Sequence, residues 1–184
     1  MTAPGRSLNT WLGFSLYKEG TYATALSETN ITECLPIKNP DALKRIPNIV
    51  TDEGEFGKGH EWTASQDIDT YDARLTLSGM DCTSELLGWL LSLYFGSVSS
   101  AVQGGTAAYL HTMKYGDWAT LLGKLPSTTV AFNRYGRKKK YSGMCCDTVE
   151  IAGELGKRLQ IGATLIGSGK EEAATLNQPT LARG

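Results

Sequence analysis

The sequence predicts a mainly β fold: a β-sandwich or barrel of two packed antiparallel sheets, flanked by one α-helix at about 82–95 and interrupted by long loops. Three observations carry that expectation. Twenty-one glycines are spread along 184 residues with short apolar runs between them. Two segments alternate apolar and polar residues with a period of two. One compact apolar stretch has helix-capping residues at both ends. A chain of this length buries about 70% of the surface it exposes when unfolded, so one domain over 1–184 accommodates all three, with a turn-rich tail at 170–184. The tail is compatible with a complete subunit or with the first half of a tandem protein.

Taken in order, Trp11–Tyr17 reads as the first strand. Thr24–Asn48 and Asp52–Asp69 are rich in turn formers and acids and read as long loops. The second, "TDEGEFGKGHEWTASQDID", sets Phe56 and Trp62 among charges, the composition of an arm that docks on another surface. In "YDARLTLSG", Tyr71, Ala73, Leu75 and Leu77 share one face and Asp72, Arg74, Thr76 and Ser78 the other, as in a strand with one wet side.

The helix lies in "DCTSELLGWLLSLYFGS". Asp81 or Thr83 caps it, Glu85 favours its first turn, and Gly96 ends it. Leu86, Leu87, Leu90, Leu91 and Tyr94 form one stripe, which Trp89, Leu93 and Phe95 widen to most of the circumference. A single sheet covers only the stripe, so the Trp89 and Phe95 side is expected against a neighbouring chain or the long loops.

Strands follow at Val98–Gln103 and Thr106–Tyr115, joined by a tight hairpin at Gly104-Gly105, where glycine takes positive φ without a steric penalty. Thr128–Tyr135 and Tyr141–Ile151 are joined through Gly136 and the run Arg137–Lys140, which reads as a solvated turn because four like charges repel. In "RLQIGATLIG", Leu159, Ile161, Ala163 and Leu165 make the buried face of a last strand.

Eighteen basic against 19 acidic side chains give a net charge of −1, without the excess a dedicated nucleic-acid binder uses to displace counterions. The start has no apolar signal region, and Leu86–Phe95 falls short of the roughly 20 residues that span a bilayer, so a soluble chain kept inside a cell is expected. Cys34, Cys82, Cys145 and Cys146 show no C-x-x-C spacing and read as free thiols. The glycine and lysine spacing of a P-loop is missing, His60 and His111 have no local metal-ligand partners, and no G-x-S-x-G elbow occurs. The expectation is therefore no catalytic residue, no metal and no cofactor: a protein that is not an enzyme.

In order, the chain runs from a short strand through "GTYATA" after Glu19, a long loop and strand, a long acidic loop, the alternating strand and the apolar helix. It continues through a glycine-centred hairpin ending "AYLHTM", then "LPSTTVAF", and closes with "LQIGATLIGSGK". This succession resembles the tail tube proteins of long-tailed bacteriophages and phage-like particles over nearly all of residues 10–170.

The resemblance implies rings, hexameric or trimeric pseudo-hexamers, stacked into a hollow tube. Strands of neighbouring subunits would join edge to edge around the bore, and DNA would pass through the lumen during ejection without specific binding. It further implies contacts with other tail proteins, a place in the virion tail after assembly in the host cytoplasm, and no membrane insertion by this chain. In that frame the arm around Phe56 and Trp62 is the inter-ring contact, Gly104-Gly105 lies near the barrel, and Arg137–Lys140 stays outside the bore. The competing readings are a related ring protein, such as a tail terminator or secretion tube, and a monomeric β-barrel that binds a small apolar ligand under the helix.

Overall fold

A computed structural model describes residues 10–37, 42–51, 66–115 and 125–181. These residues are mainly β with one α-helix. In chain order the elements are β1 (Trp11–Phe14), a single 3-10 turn (Glu28–Asn30), β2 (Glu33–Pro36), β3 (Leu43–Thr51), β4 (Gln66–Asp81) and α1 (Ser84–Phe95). They continue with β5 (Gly96–Val102), β6 (Tyr109–Tyr115), β7 (Ser127–Arg134), β8 (Arg137–Ala152), β9 (Gln160–Gly167), β10 (Glu171–Ala173) and β11 (Thr180–Leu181).

The layers arise from one sheet that curls over. Its strands lie in the order β11-β2-β1-β7-β8-β9-β4-β3, with β10 beside β8, while β5 and β6 form a separate two-stranded sheet. Among the described residues every pairing is antiparallel except β11 on β2. β2 and β3 sit near opposite margins, yet only the segment between Pro36 and Leu43 separates them in sequence. Leu35 and Leu43, one from each, share a single apolar core. The alternating segments mostly behave as their period requires: Ala73, Leu75 and Leu77 of β4 and Ile161, Ala163 and Leu165 of β9 are all buried there, but Tyr71 is half-buried and Leu159, expected on the buried face, stands exposed just before β9 begins.

The helix closes the concave side. Thr83 caps it, its hydroxyl oxygen accepting from the Leu86 N–H at 3.3 Å, and Gly96 ends it with φ of +83°. Its buried face is Leu86, Trp89, Leu90 and Leu93, a spacing of three, four and seven. That face is rotated from the expected stripe, and the expectation for Trp89 is corrected: only 2% exposed, it packs on Phe14 with ring centroids 4.5 Å apart, inside its own chain. An aromatic ring of this size wins the core position because its burial removes more apolar surface from water than Leu87 or Leu91 would. Phe95 is half-buried at the end of the helix.

Three other expectations change. The segment Thr24–Asn48 holds the 3-10 turn, β2 and most of β3, and β4 already begins at Gln66, inside the acidic stretch. β3 reads as a loop because Pro47 interrupts it, but a marginal strand tolerates a missing N–H. Phe56, His60 and Trp62 lie outside the described residues. The basic run is not a turn: Tyr135 and Gly136 make the turn, and Arg137–Lys140 open β8. There Lys139 and Lys140 form ion pairs with Glu171 and Glu172 of β10, which relieves the like-charge repulsion that a turn would have relieved with water.

One carboxylate ties the loop after β1 to the sheet. Glu19 accepts from Thr129 Oγ1 at 2.7 Å, Ser127 Oγ at 2.7 Å, the Ala23 N–H at 3.1 Å and the Gly143 N–H at 3.0 Å. Its own N–H donates to the Ser127 carbonyl at 2.8 Å. Removing it leaves buried donors on β7 and β8 without an acceptor, so Glu19→Ala is expected to cost about 2–4 kcal/mol and Glu19→Gln about half that. Urea denaturation measures both, and an unchanged midpoint for Glu19→Ala would remove this role. Trp89→Ala should cost about 3–5 kcal/mol through its cavity. Because the buried Trp89 Nε1 has no partner among the described residues, Trp89→Phe should cost much less, about 1–2 kcal/mol, in the same assay.

Candidate assembly interface

The β5–β6 ribbon leaves the end of α1 with little of its own surface covered. Its register pairs Val98 with Met113, Ser100 with His111, and Val102 with Tyr109 on one face, and Ser99 with Thr112 and Ala101 with Leu110 on the other. The tip turns through Gly104 and Gly105, both at positive φ, where glycine is needed. The Gln103 N–H donates to Ala108 O at 2.9 Å and the Thr106 N–H to Gln103 O at 3.0 Å. Thr106 therefore belongs to the turn, and β6 starts three residues later than its pattern suggests.

Apolar side chains stand in solvent on both faces, Tyr109 at 60% and Tyr115 at 70% exposure, with Val102 and Leu110 similar. At the base, Phe95, Tyr94 and Tyr115 form an edge-on cluster, the Phe95 and Tyr115 centroids 4.8 Å apart. The neighbouring Tyr115 hydroxyl is the main cause that pushes the Tyr94 phenol above its ordinary value. Lys18 Nζ donates to the Gly96 carbonyl at 2.6 Å and clamps the ribbon to the loop that Glu19 anchors, and burial lowers its pKa. Phe95, expected under a neighbouring chain, thus sits where the ribbon meets the helix.

The margins of the sheet systems differ. β3 carries Lys44, Arg45, Pro47 and a bulge between Asn48 and Ile49, devices that discourage strand addition. β5, "GSVSSAV", has no charge, no proline and an unbroken register over seven residues. Among the described residues no strand pairs its outer margin or that of β6. A two-stranded ribbon is at best marginally stable alone in water.

Chemistry at this ribbon is limited. Ser100 Oγ and His111 Nδ1 are hydrogen-bonded at 2.8 Å, and His111 stacks near Tyr109 with centroids 6.3 Å apart. The pair is exposed, and among the described residues no carboxylate bonds the other ring nitrogen. No three of His, Cys, Asp and Glu converge as metal ligands among the described residues, and no helix there is long and apolar enough to cross a membrane. The four cysteines are free thiols, as their spacing predicts. Burial pushes Cys34 and Cys145 up and raises Cys146 to about 11. No protein-family model matches the chain, and no curated protein matches it.

A thiol with a pKa of about 11 is roughly one part in a thousand thiolate at pH 8. Cys146 is therefore expected to resist iodoacetamide in the native state and to react on unfolding, as read by mass spectrometry. Since folding favours the neutral thiol, its contribution to stability is complete below the ordinary thiol range. It is lost as pH rises from there towards about 11. Rapid native-state labelling would contradict the burial.

Proposed function

We propose that this chain is a self-assembling structural subunit of a phage-type tail tube. Copies pair strand edge to strand edge into rings, and rings stack into a hollow conduit of the virion tail, through which DNA passes during ejection. No catalytic step is involved. The observation that carries this reading is the β5–β6 ribbon: exposed apolar side chains on both faces, no charge along β5, and outer margins that no strand pairs among the described residues. A second copy adding a strand would satisfy the open N–H and C=O groups and cover those apolar side chains in one step.

Other observations support it. A net charge of −1 lets DNA slide rather than stick. The space that a ligand-binding barrel would keep open beneath its helix is filled by Trp89 on Phe14. Ring partners beyond the chain itself are other tail proteins, and no cofactor is used.

Concentrated protein is expected to form long tubes in negative stain. Isolated rings would favour a terminator-type ring protein, and a monomer that persists at high concentration would overturn self-assembly. The double variant Ala101→Lys/Val102→Lys alters only exposed ribbon positions, so its circular dichroism and melting should stay close to wild type. Its association, followed by sedimentation velocity, should need at least about ten times the concentration, because lysine on an open margin opposes strand addition.

A further inference from the structure

One face of the β5–β6 ribbon is apolar or uncharged around a single imidazole. Val98, Ser100 and Val102 of β5 lie opposite Met113, His111 and Tyr109 of β6, so His111 sits at the centre of that face, with Tyr109 and Met113 two residues to either side. It is exposed, hydrogen-bonded through Nδ1 to Ser100 Oγ at 2.8 Å and stacked near Tyr109.

No other ionisable group of the ribbon or its base supplies a counter-charge there. β5 carries none. On β6, Lys114 alternates to the opposite face, and Tyr109 and Tyr115 bring phenols. At the base, α1 ends in Tyr94, with Asp147 of β8 close enough to act on that phenol, and Lys18 is held at the Gly96 carbonyl. His111 lies four residues further out along β6 than Tyr115, roughly 13 Å. Glu85, in the first turn of α1, is at the end of the helix remote from the ribbon.

A free ribbon tolerates either charge state of this imidazole, because water solvates the imidazolium. A covered ribbon does not. If a neighbouring copy adds β5 to the β6 margin, the strand placed about 4.8 Å away is the uncharged "GSVSSAV". If β6 meets β6, the incoming strand brings a second imidazole and Lys114. Neither strand carries a carboxylate, so an imidazolium would lose water without gaining a partner.

We infer that His111 is a pH switch on ribbon pairing: assembly at the β6 margin accepts the neutral imidazole and is opposed by its protonated form. The inference rests on the self-assembly reading and adds the regulation of that same surface. Imidazoles change charge between about pH 5 and 8. Since the assembled state favours the neutral form, association is full above that range and is lost as pH falls through it.

Sedimentation velocity of the full chain at about pH 7.5 and about pH 5.5, at equal ionic strength, tests this. Wild type is expected to need about five to ten times the concentration to associate at the lower pH. His111→Gln keeps a neutral polar side chain, so its association, whatever its strength, should be the same at both pH values. His111→Lys carries a fixed charge and should associate weakly at both. Circular dichroism separates loss of association from loss of fold, and substitution at so exposed a position should leave the fold intact.

If wild type associates equally at both pH values, or if His111→Gln keeps the acid sensitivity, His111 is not the switch and the tube reading survives. His111→Lys associating like wild type at the higher pH would mean that the imidazole stays uncovered, which equally overturns the assignment. If wild type never associates, the self-assembly reading falls and this inference falls with it.

Discussion

The structure depends on a mismatch of lengths. One helix of 12 residues, about 18 Å long, is the main cover for the concave side of a sheet whose β4 and β8 each run 16 residues, roughly 50 Å. Trp89 on Phe14, with Leu86, Leu90 and Leu93, fills the middle of that concavity densely. Beyond the helix, no described element lies over the ends of these strands. Ile46 and Ile49 stand in solvent on β3, and Ile151, Leu155 and Leu159 do so where β8 turns back into β9. The core is thus self-sufficient while the ends of its strands are not, which separates what holds one chain together from what copies would need from each other.

A second constraint decides whether the uncovered parts are aimed or loose. Glu19 fastens the loop after β1 to Ser127, Thr129 and Gly143, and the adjacent Lys18 fastens the same loop to Gly96, where α1 becomes β5. Two neighbouring side chains of opposite charge therefore link the base of the exposed ribbon to β7 and β8. A ribbon hinged only at a glycine would sample many directions and lose entropy on each docking. One clamped at its base has already lost part of it. The aromatic cluster of Tyr94, Phe95 and Tyr115 stiffens the same junction from the other side.

Local pattern was enough for much of this. The helix and its caps, the alternating faces of β4 and β9, and the Gly104-Gly105 turn are all legible because each is written within ten or so neighbouring residues. What was not legible depends on partners far along the chain. The helix is apolar nearly all round, so periodicity alone could not say that Trp89 rather than Leu87 faces the sheet; Phe14, 75 positions away, decides it. The run Arg137–Lys140 repels itself in isolation and becomes a strand only beside Glu171 and Glu172. Glu19 looks like any turn acid until Ser127, Thr129 and Gly143 close around it. A cleft between β3 and the β7–β8 turn, lined by Lys44, Arg45, Arg134, Arg137 and Lys139, is missed for the same reason, since these residues come from distant stretches of the chain. A spacing of about 90 residues between Arg45 and Arg134 carries no local signature, and only a count of how acids and bases are distributed along the chain hints at it.

The kind of contact that the ribbon offers bears on the shape of an assembly. Strand addition at β5 or β6 is short-ranged and made of backbone hydrogen bonds and apolar contact, so it would be nearly indifferent to salt. If the β5 edge of one copy met the β6 edge of the next, the contact would join unlike patches, and such a contact closes into a ring or runs on as a filament according to the rotation it imposes. A ribbon clamped at its base by Lys18 and by the Tyr94, Phe95 and Tyr115 cluster would fix that rotation more narrowly than one hinged at a glycine alone.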